Sequence, residues 1–145
     1  MLSLKDFSVR FSGILPGERT SFINHYNKES DIYFTHFSLS GLEEMHSYST
    51  DERLYEFFEF DPFKTIDETK AYIGKLLDRM SGEPLDRNAM YWFVRRKSDD
   101  YLIGTTALVN LNFSRQSIEW AYGVDPELWG FGYVLEIQEA LKRFT

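Results

Sequence analysis

Apolar residues in the first 40 positions alternate with polar ones in two places and follow a helical spacing in one. Residues 7–11 and 32–37 alternate with a period of two, which is typical of half-buried strands. Between them, after a turn at 15–18, three apolar side chains fit one stripe of a short helix: Phe22, Ile23 and Tyr26. This part of the chain therefore predicts a strand, a short helix and a second strand.

Two capping boxes mark predicted helix starts. In each, a hydroxyl can accept from the amide three residues on, and a glutamate reaches back. Ser40 and Glu43 form the first box, and Thr65 and Glu68 form the second. Apolar residues follow the second box on one helical face: Ile73, Leu76, Leu77 and Met80. We therefore expect one helix from each box, the second ending at 81–82.

From residue 89 onward the pattern is typical of strands. Residues 89–95, 101–111 and 117–124 are rich in β-branched and aromatic residues, and short polar turns separate them, as in an antiparallel meander. After Gly130 and Gly132, apolar residues recur at spacings of three, four and three: Val134, Ile137, Leu141 and Phe144. This spacing predicts a helix that begins just after the glycines.

The composition fits one folded domain. Of 145 residues, 43% are hydrophobic and 17% aromatic, which is enough to build a core. The net charge of −7 repels phosphate backbones and anionic lipids, so neither nucleic acid nor a membrane is an expected partner. Cysteine is absent, the three histidines lack metal-ligand spacing, and no leader or long apolar run is present. We expect a cytoplasmic protein without a metal site.

The two glycines suggest a specific chemistry. A helix N-terminus leaves several backbone N–H groups unpaired, and its dipole adds partial positive charge, so a glycine-containing turn before a helix can bind phosphate. Gly130 and Gly132 remove side chains that would hold an anion away, and they permit positive φ. The same glycines also fit an ordinary tight turn, and the motif alone leaves both interpretations open.

The order of the predicted elements resembles that of the acetyl-CoA-dependent GNAT N-acetyltransferases, in particular the branch of ribosomal-protein N-terminal acetyltransferases. The matching residues include Ile103, Gly104, Glu119, Trp120, Val124, Asp125, Pro126, Trp129, Gly130 and Gly132. The resemblance implies an α/β (α+β) fold, with a mixed, mostly antiparallel sheet flanked by helices. It assigns 31–145 to the N-terminal and central part of an acetyltransferase domain, and leaves 1–30 as an N-terminal extension.

In that family, amides of the glycine turn hold the pyrophosphate of coenzyme A, so the resemblance implies acetyl-CoA as cosubstrate. The residues that take this position here are Val124, Trp129, Gly130, Phe131, Gly132 and Tyr133. Two residues depart from the family pattern: Glu127 replaces the usual Arg or Gln, and Phe131 replaces a common basic residue. Both departures lower the positive charge beside a pyrophosphate.

The resemblance further implies direct transfer of the acetyl group to the amine of a small molecule or peptide. A backbone N–H at the end of the family's bulged fourth strand, here Val124 or its neighbour, would stabilise negative charge on the thioester oxygen. Glu119 matches the position of a glutamate general base in several relatives. A solvated strand residue is the alternative for Glu119, because its orientation depends on the strand register.

In the family the fold continues with a strand, a helix and at least one further strand. The resemblance therefore implies that these 145 residues are a fragment of a larger enzyme, that a second chain completes the cleft, or that catalysis has been lost, and we expect the fragment. We therefore expect these 145 residues alone to have little or no acetyl-transfer activity, and to self-associate or pair through the strand at 117–124. A monomeric, active preparation would contradict both expectations. The alternatives are a noncatalytic acyl-CoA-binding module and a protein-interaction module.

Five aromatic residues between the first two predicted helices fit either the core or the wall of an acceptor pocket: Tyr55, Phe57, Phe58, Phe60 and Phe63. We expect core packing for them.

Overall fold

The computed structural model describes residues 20–23, 29–56, 61–81, 89–112 and 114–144. The strands are β1 (Thr20–Ile23), β2 (Glu29–His36), β3 (Met90–Arg96), β4 (Leu102–Asn112) and β5 (Ser117–Val124). The helices are α1 (Leu42–Ser49), α2 (Ile66–Met80) and α3 (Tyr133–Phe144). Short 3₁₀ helices cover Leu39–Gly41, Glu52–Tyr55 and Pro126–Leu128.

The described strands form one sheet in the order β1-β2-β3-β4-β5, and each neighbouring pair is antiparallel. This confirms the expected α/β fold with a mostly antiparallel sheet. The three strands of the meander lie within one residue of their predicted bounds. A short turn connects β3 to β4. The Arg96 amide closes this turn by donating a hydrogen bond of 2.9 Å to the Tyr101 carbonyl.

The short helix predicted around Phe22 and Ile23 is wrong. Both residues belong to β1, which pairs with β2 through Thr20 and Phe34. An apolar run of this length fits a strand as well as a helix, and here pairing with β2 decides between them. The other residue of that predicted stripe, Tyr26, lies outside the described residues, as do the strand predicted at 7–11 and the turn at 15–18.

Only one of the two predicted capping boxes caps its helix. The Thr65 hydroxyl accepts a hydrogen bond from the Glu68 amide at 3.2 Å, and α2 begins at Ile66, directly after Thr65. The first box is wrong: Ser38, not Ser40, caps the 3₁₀ turn at Leu39–Gly41, accepting from the Ser40 amide at 3.3 Å. That turn leads directly into α1, whose N-cap is Gly41, without a side-chain hydrogen bond.

Helices cover both faces of the sheet. One face carries Tyr91 and Phe93, and α1 and α2 pack against it. Trp92 and Val94 lie on the opposite face and are 0% exposed, because α3 covers that face. The carboxylate of Glu136 fixes α3 to β2 by accepting hydrogen bonds from that strand. Among the described helices, none has the length and apolarity needed to cross a membrane.

Candidate functional site

The end of β5 leads into the glycine turn through a fixed corner built on Asp125. This carboxylate is 6% exposed; one oxygen accepts from the Glu127 amide at 3.0 Å and the other from the Tyr101 hydroxyl at 2.8 Å. The hydrogen bond to Asp125 raises the pKa of Tyr101 above its ordinary value. Pro126 begins the 3₁₀ turn that follows. The corner therefore sets the direction in which the chain leaves the sheet.

Both glycines of the turn adopt the backbone conformation that favours glycine. Gly130 has a φ of 90° and Gly132 a φ of 84°. A Cβ added at either position would meet nothing within 4 Å, so conformation rather than crowding favours glycine here. The expected positive φ is confirmed.

Backbone amides from this turn and from the first turn of α3 share one small cavity. Within the described part of the chain, the amides of residues 130–135 make no hydrogen bond of ordinary geometry to a protein acceptor, although Trp129 and Gly130 form a turn. A cavity of about 220 Å³ lies here, between the end of β5 and the start of α3. Its lining comprises Val124, Leu128, Trp129, Gly130, Gly132, Tyr133, Val134 and Leu135. We call it the turn cavity.

The turn cavity includes five of the six residues expected to bind the cosubstrate. The sixth, Phe131, is 69% exposed and stacks near Tyr133, with ring centroids 6.4 Å apart. Trp129 is held in place by its indole N–H, which donates to the Val124 carbonyl at 2.9 Å. The structure thus brings this group of residues together at the helix start.

The Val124 amide faces the outer edge of β5. The Asp125 amide donates to the Ile103 carbonyl at 2.8 Å. This hydrogen bond shows which amides of β5 point toward β4 and which point away from it. Residues alternate between inward and outward amides in such a ladder, so Val124, one position earlier, points its N–H away from β4. The Val124 amide expected as an oxyanion donor is therefore available, whereas the amide of its neighbour Asp125 is already paired.

The expected irregularity of this strand does not lie at Val124. Pairing between β4 and β5 is regular from Val109 opposite Glu119 to Gly104 opposite Val124, and the register shift falls between Val109 and Asn112. At the regular end, β4 comes close to β5: a Cβ added to Gly104 would collide with the Gly123 carbonyl oxygen and lie 2.9 Å from the Val124 Cα.

Glu119 lies away from the turn cavity, near the other end of β5. Its side chain is exposed and accepts a hydrogen bond of 2.9 Å from the Asn110 side-chain amide. Val124 lies five positions further along the strand, a distance of roughly 16 Å. Because side chains alternate between faces, Glu119 lies on the same face as Ala121 and Gly123. The register thus assigns Glu119 to the face covered by α1 and α2.

The acidic residue that departs from the family pattern is paired. The Arg53 guanidinium lies 2.6 Å from the Glu127 carboxylate and also 2.6 Å from that of Asp51. These two carboxylates raise the pKa of Arg53 above its ordinary value. Arg53 therefore offsets part of the negative charge that Glu127 brings to the turn, although both side chains are at least half exposed.

A second cavity lies on the α1 and α2 face of the sheet, where the sequence offered an acceptor pocket only as the alternative to core packing. It holds about 180 Å³, and we call it the aromatic cavity because Tyr48, Tyr55, Phe63, Tyr72 and Tyr91 line it. Core packing is thus wrong as the sole account of Tyr55 and Phe63, which form part of the wall; the other three aromatics of that set, Phe57, Phe58 and Phe60, lie outside the described residues.

Small residues in alternate positions give the aromatic cavity its room. Ala107 on β4 and Ala121 with Gly123 on β5 place little side-chain volume on this face, and all three line the cavity. A run of small residues at a period of two, on strands facing an aromatic-rich segment, is the sequence signal that would have indicated the space.

Neither the metal expectation nor self-association is decided by the structure. Among the residues that the structure describes, no group of three or more His, Asp or Glu side chains could hold a metal ion. On its outer side, β5 has no neighbouring strand within the described ranges. Pairing of this edge with a second chain stays a prediction.

Comparison with known families gives one match over most of the chain. Residues 31–145 match the family described as Acetyltransferase (GNAT) domain. No curated protein matches the chain.

Solved structures share the fold at low sequence identity. An acetyltransferase of the GNAT family from Bacillus anthracis has 16% identity and a TM-score of 0.63, covering 79% of this chain and 62% of that one. The spermidine N-acetyltransferase from Vibrio cholerae, in complex with CoA and spermine, has 19% identity and a TM-score of 0.60, with 79% and 63% covered. The Microcin C7 self immunity acetyltransferase MccE, in complex with acetyl-CoA and AMP, has 13% identity and a TM-score of 0.64, with 79% and 63% covered. The chain thus spans less than two thirds of the length of these structures.

Proposed function

Because this chain belongs to the GNAT acetyltransferase family over residues 31–145, we propose that it binds acetyl-CoA and transfers the acetyl group directly to an amine. The observation that carries this proposal is the turn cavity, where two glycines with positive φ expose consecutive backbone amides at a helix start. A diphosphate is the chemical group that such an arrangement favours. Relatives crystallised with CoA or acetyl-CoA support the same ligand.

In this proposal the diphosphate of the coenzyme lies against the amides between Trp129 and Tyr133. The thioester then lies along the outer edge of β5, where the Val124 N–H points outward and can donate to the carbonyl oxygen. Negative charge grows on that oxygen when an amine attacks the carbonyl carbon. A positioned backbone donor stabilises it, and loss of one such donor costs about 10²–10³-fold in kcat in other enzymes.

Glu119 remains our proposed general base, acting through water. It lies on the face of β5 that carries Ala121 and Gly123, the face from which an acceptor in the aromatic cavity would approach. The distance along β5, roughly 16 Å, is too long for direct contact with an amine at the Val124 end or for one bridging water, so in this proposal a chain of several waters carries the proton.

The position of Glu119 also favours a second candidate, a noncatalytic acyl-CoA-binding module. Its carboxylate hydrogen-bonds to Asn110 and lines neither cavity. Coenzyme binding without acetyl transfer to any amine, in a preparation that includes every part of the site, would favour this alternative.

Calorimetric titration of the protein with CoA tests the coenzyme site, with pantetheine as a probe that lacks the diphosphate. We expect CoA to bind and pantetheine to bind much more weakly. Thermal stability gives a second readout, because a ligand at 100 times its Kd stabilises the folded state by about 2.7 kcal/mol. Equal affinity for the two compounds, or no binding of CoA, would overturn the proposed site.

Gly132→Ala should weaken CoA binding, because alanine disfavours the positive φ that presents the amides. We expect the free energy of unfolding to fall by about 1–2 kcal/mol as well. Gly74→Ala is the matched control: Gly74 lies inside α2 with nothing within 4 Å of an added Cβ, so alanine should stabilise by about 0.5–1 kcal/mol. It should leave the Kd for CoA unchanged.

A further inference from the structure

The described wall of the aromatic cavity contains no charged side chain. Its residues are aromatic, aliphatic, thioether or hydroxyl-bearing, and they come from α1, the 3₁₀ turn at Glu52–Tyr55, the segment just before α2, α2 itself and strands β3 to β5. The Arg79 guanidinium donates to the hydroxyl of one wall residue, Tyr91, at 3.2 Å. The cavity is therefore apolar inside, with a cation beside it.

The volume of the cavity limits the size of an occupant. An apolar cavity of about 150 Å³ is known to bind benzene, so the 180 Å³ present here accommodate one ring or a branched aliphatic group of similar size. A long flexible chain would leave most of its length outside.

The electrostatics of the cavity favour one positive charge over several. A polyamine carries two or more ammonium groups, and each needs a carboxylate or water when it leaves bulk solvent. The buried Asp125 carboxylate acts on Tyr48 from the β5 end, and both Asp125 oxygens already accept hydrogen bonds. Attraction for a cation is therefore limited to that end of the cavity.

One wall residue has unused polar capacity. Tyr48 is 4% exposed, and its hydroxyl has no hydrogen-bond partner among the described residues. Burial raises the pKa of Tyr48, which keeps the hydroxyl protonated as a donor. Thr105 is close enough to influence that pKa, but the two hydroxyls do not reach hydrogen-bond geometry. A small rotation of either side chain would offer this donor to a ligand.

The two cavities lie on opposite faces of the end of β5, the edge strand of the described sheet. Gly123 lines the aromatic cavity, and its neighbour Val124 lines the turn cavity. A ring held in the aromatic cavity with its amine toward Gly123 would therefore present that amine at the outer edge of β5, where the proposed thioester lies.

We propose that the acetyl acceptor is a primary monoamine with one compact apolar group, aromatic or branched aliphatic, which occupies the aromatic cavity. This inference rests on the proposed function. The amine nitrogen, after losing a proton to water, forms a bond to the thioester carbonyl carbon and the C–S bond breaks. The nitrogen, now bonded to the acetyl group, loses a second proton, and the coenzyme thiolate takes up one proton. The products are the N-acetyl amine and CoA.

Binding of three amines, measured by ligand-detected NMR with and without CoA, tests the proposal. The probes are 2-phenylethylamine, ethylamine as the same amine without the ring, and spermidine. We expect 2-phenylethylamine to bind at least about tenfold more tightly than either other probe, since only it buries a ring without a second charge. Spermidine binding as tightly as 2-phenylethylamine, or no binding of 2-phenylethylamine, would overturn the proposal.

Variants locate the bound ring. Ala121→Leu fills the cavity from β5 and should abolish binding of 2-phenylethylamine while leaving the Kd for CoA unchanged. Ala71→Leu is the matched control, because Ala71 is exposed on α2 and lines neither cavity. If Ala121→Leu fails to fold, Gly123→Ala replaces it, since its Cβ would meet Thr105 and Leu54 at ordinary distances of 3.8 and 3.9 Å. Unchanged amine binding in a folded cavity variant would contradict the location.

The two proposals can fail separately. Binding of CoA without binding of 2-phenylethylamine leaves the proposed coenzyme site intact and overturns the acceptor. Binding of 2-phenylethylamine without binding of CoA overturns the proposed function and removes the basis for calling the amine an acceptor.

Discussion

At the scale of single residues, the charge of the turn depends on a pair that the sequence pattern did not indicate. Glu127 has the wrong sign for a residue beside a diphosphate, yet it forms an ion pair with Arg53, 74 positions away. Such a pair is a product of the fold. The sequence alone showed the acidic residue and could not show the guanidinium beside it.

Glu127→Gln should therefore tighten CoA binding. Removing the carboxylate leaves Arg53 paired with Asp51 alone, and the net charge near the turn becomes more positive. We expect the Kd for CoA to fall by about two- to fivefold at low ionic strength, with a smaller change at high salt because these side chains are exposed. Calorimetric titration at two salt concentrations measures both effects.

Glu52→Gln is the control for this change. Glu52 is exposed on the same 3₁₀ turn as Arg53, outside the described ion pairs. The Glu52→Gln substitution removes the same charge from the protein as Glu127→Gln does, without changing the partners of Arg53. An equal effect of the two substitutions would attribute the gain to net charge and contradict the local explanation.

At the scale of elements, helix starts show how far a local motif determines structure. Thr65 and Glu68 behave as their spacing predicts, because nothing else competes for the first turn of α2. Ser40 follows the same rule in sequence, but a 3₁₀ turn precedes α1, so the cap moves to Ser38. A capping motif predicts that a helix is near; the preceding backbone decides which residue caps it.

Thr65→Ala should lower the free energy of unfolding by about 1 kcal/mol, because the Glu68 amide loses its acceptor. Ser40→Ala should cost less than half as much, since the Ser40 hydroxyl contacts only that of Ser38, at 2.6 Å. Urea denaturation followed by circular dichroism compares the two. A larger loss from Ser40→Ala would show that the first box acts as a cap in solution.

At the scale of the whole molecule, the sequence predicted the sheet, α2 and α3 because each has a clear period over many residues. It did not predict β1, where four residues are too few to define a period. It located the glycine turn, because the residues of the proposed coenzyme site there are neighbours in the chain. It left the aromatic cavity as the alternative to core packing, because that space lies between elements distant in the sequence that meet only after folding.

Stability of the whole protein should fall above pH 10. Burial raises the pKa of Tyr48, Tyr72 and Tyr55, so these phenols stay protonated in the folded state while the same groups ionise in the unfolded chain. A pKa raised on folding contributes stability that is complete below the unfolded value, near 10, and is lost as pH rises. Tyr48 adds up to about 1.4 kcal/mol per pH unit to this loss, and Tyr55 adds less because it is only half buried and solvent screens it.

Tyr48→Phe should reduce the loss of unfolding free energy per pH unit above pH 10, because the most buried of these phenols is no longer there to titrate. Tyr101→Phe should reduce this loss less, since that side chain is 42% exposed and solvent screens its interactions. Chemical denaturation between pH 8 and 11.5 measures the slope. An unchanged slope in Tyr48→Phe would mean that this hydroxyl is reached by solvent in the folded protein.

The close approach of β4 and β5 at Gly104 restricts how this chain can change over evolution. Most positions in a fold shared at 13–19% identity accept many residue types, because neighbours shift slightly to make room. Here the obstacle is main chain on the very strand that separates the two cavities. A larger residue at 104 would displace Val124, so a mutation at this position would also move the proposed oxyanion donor.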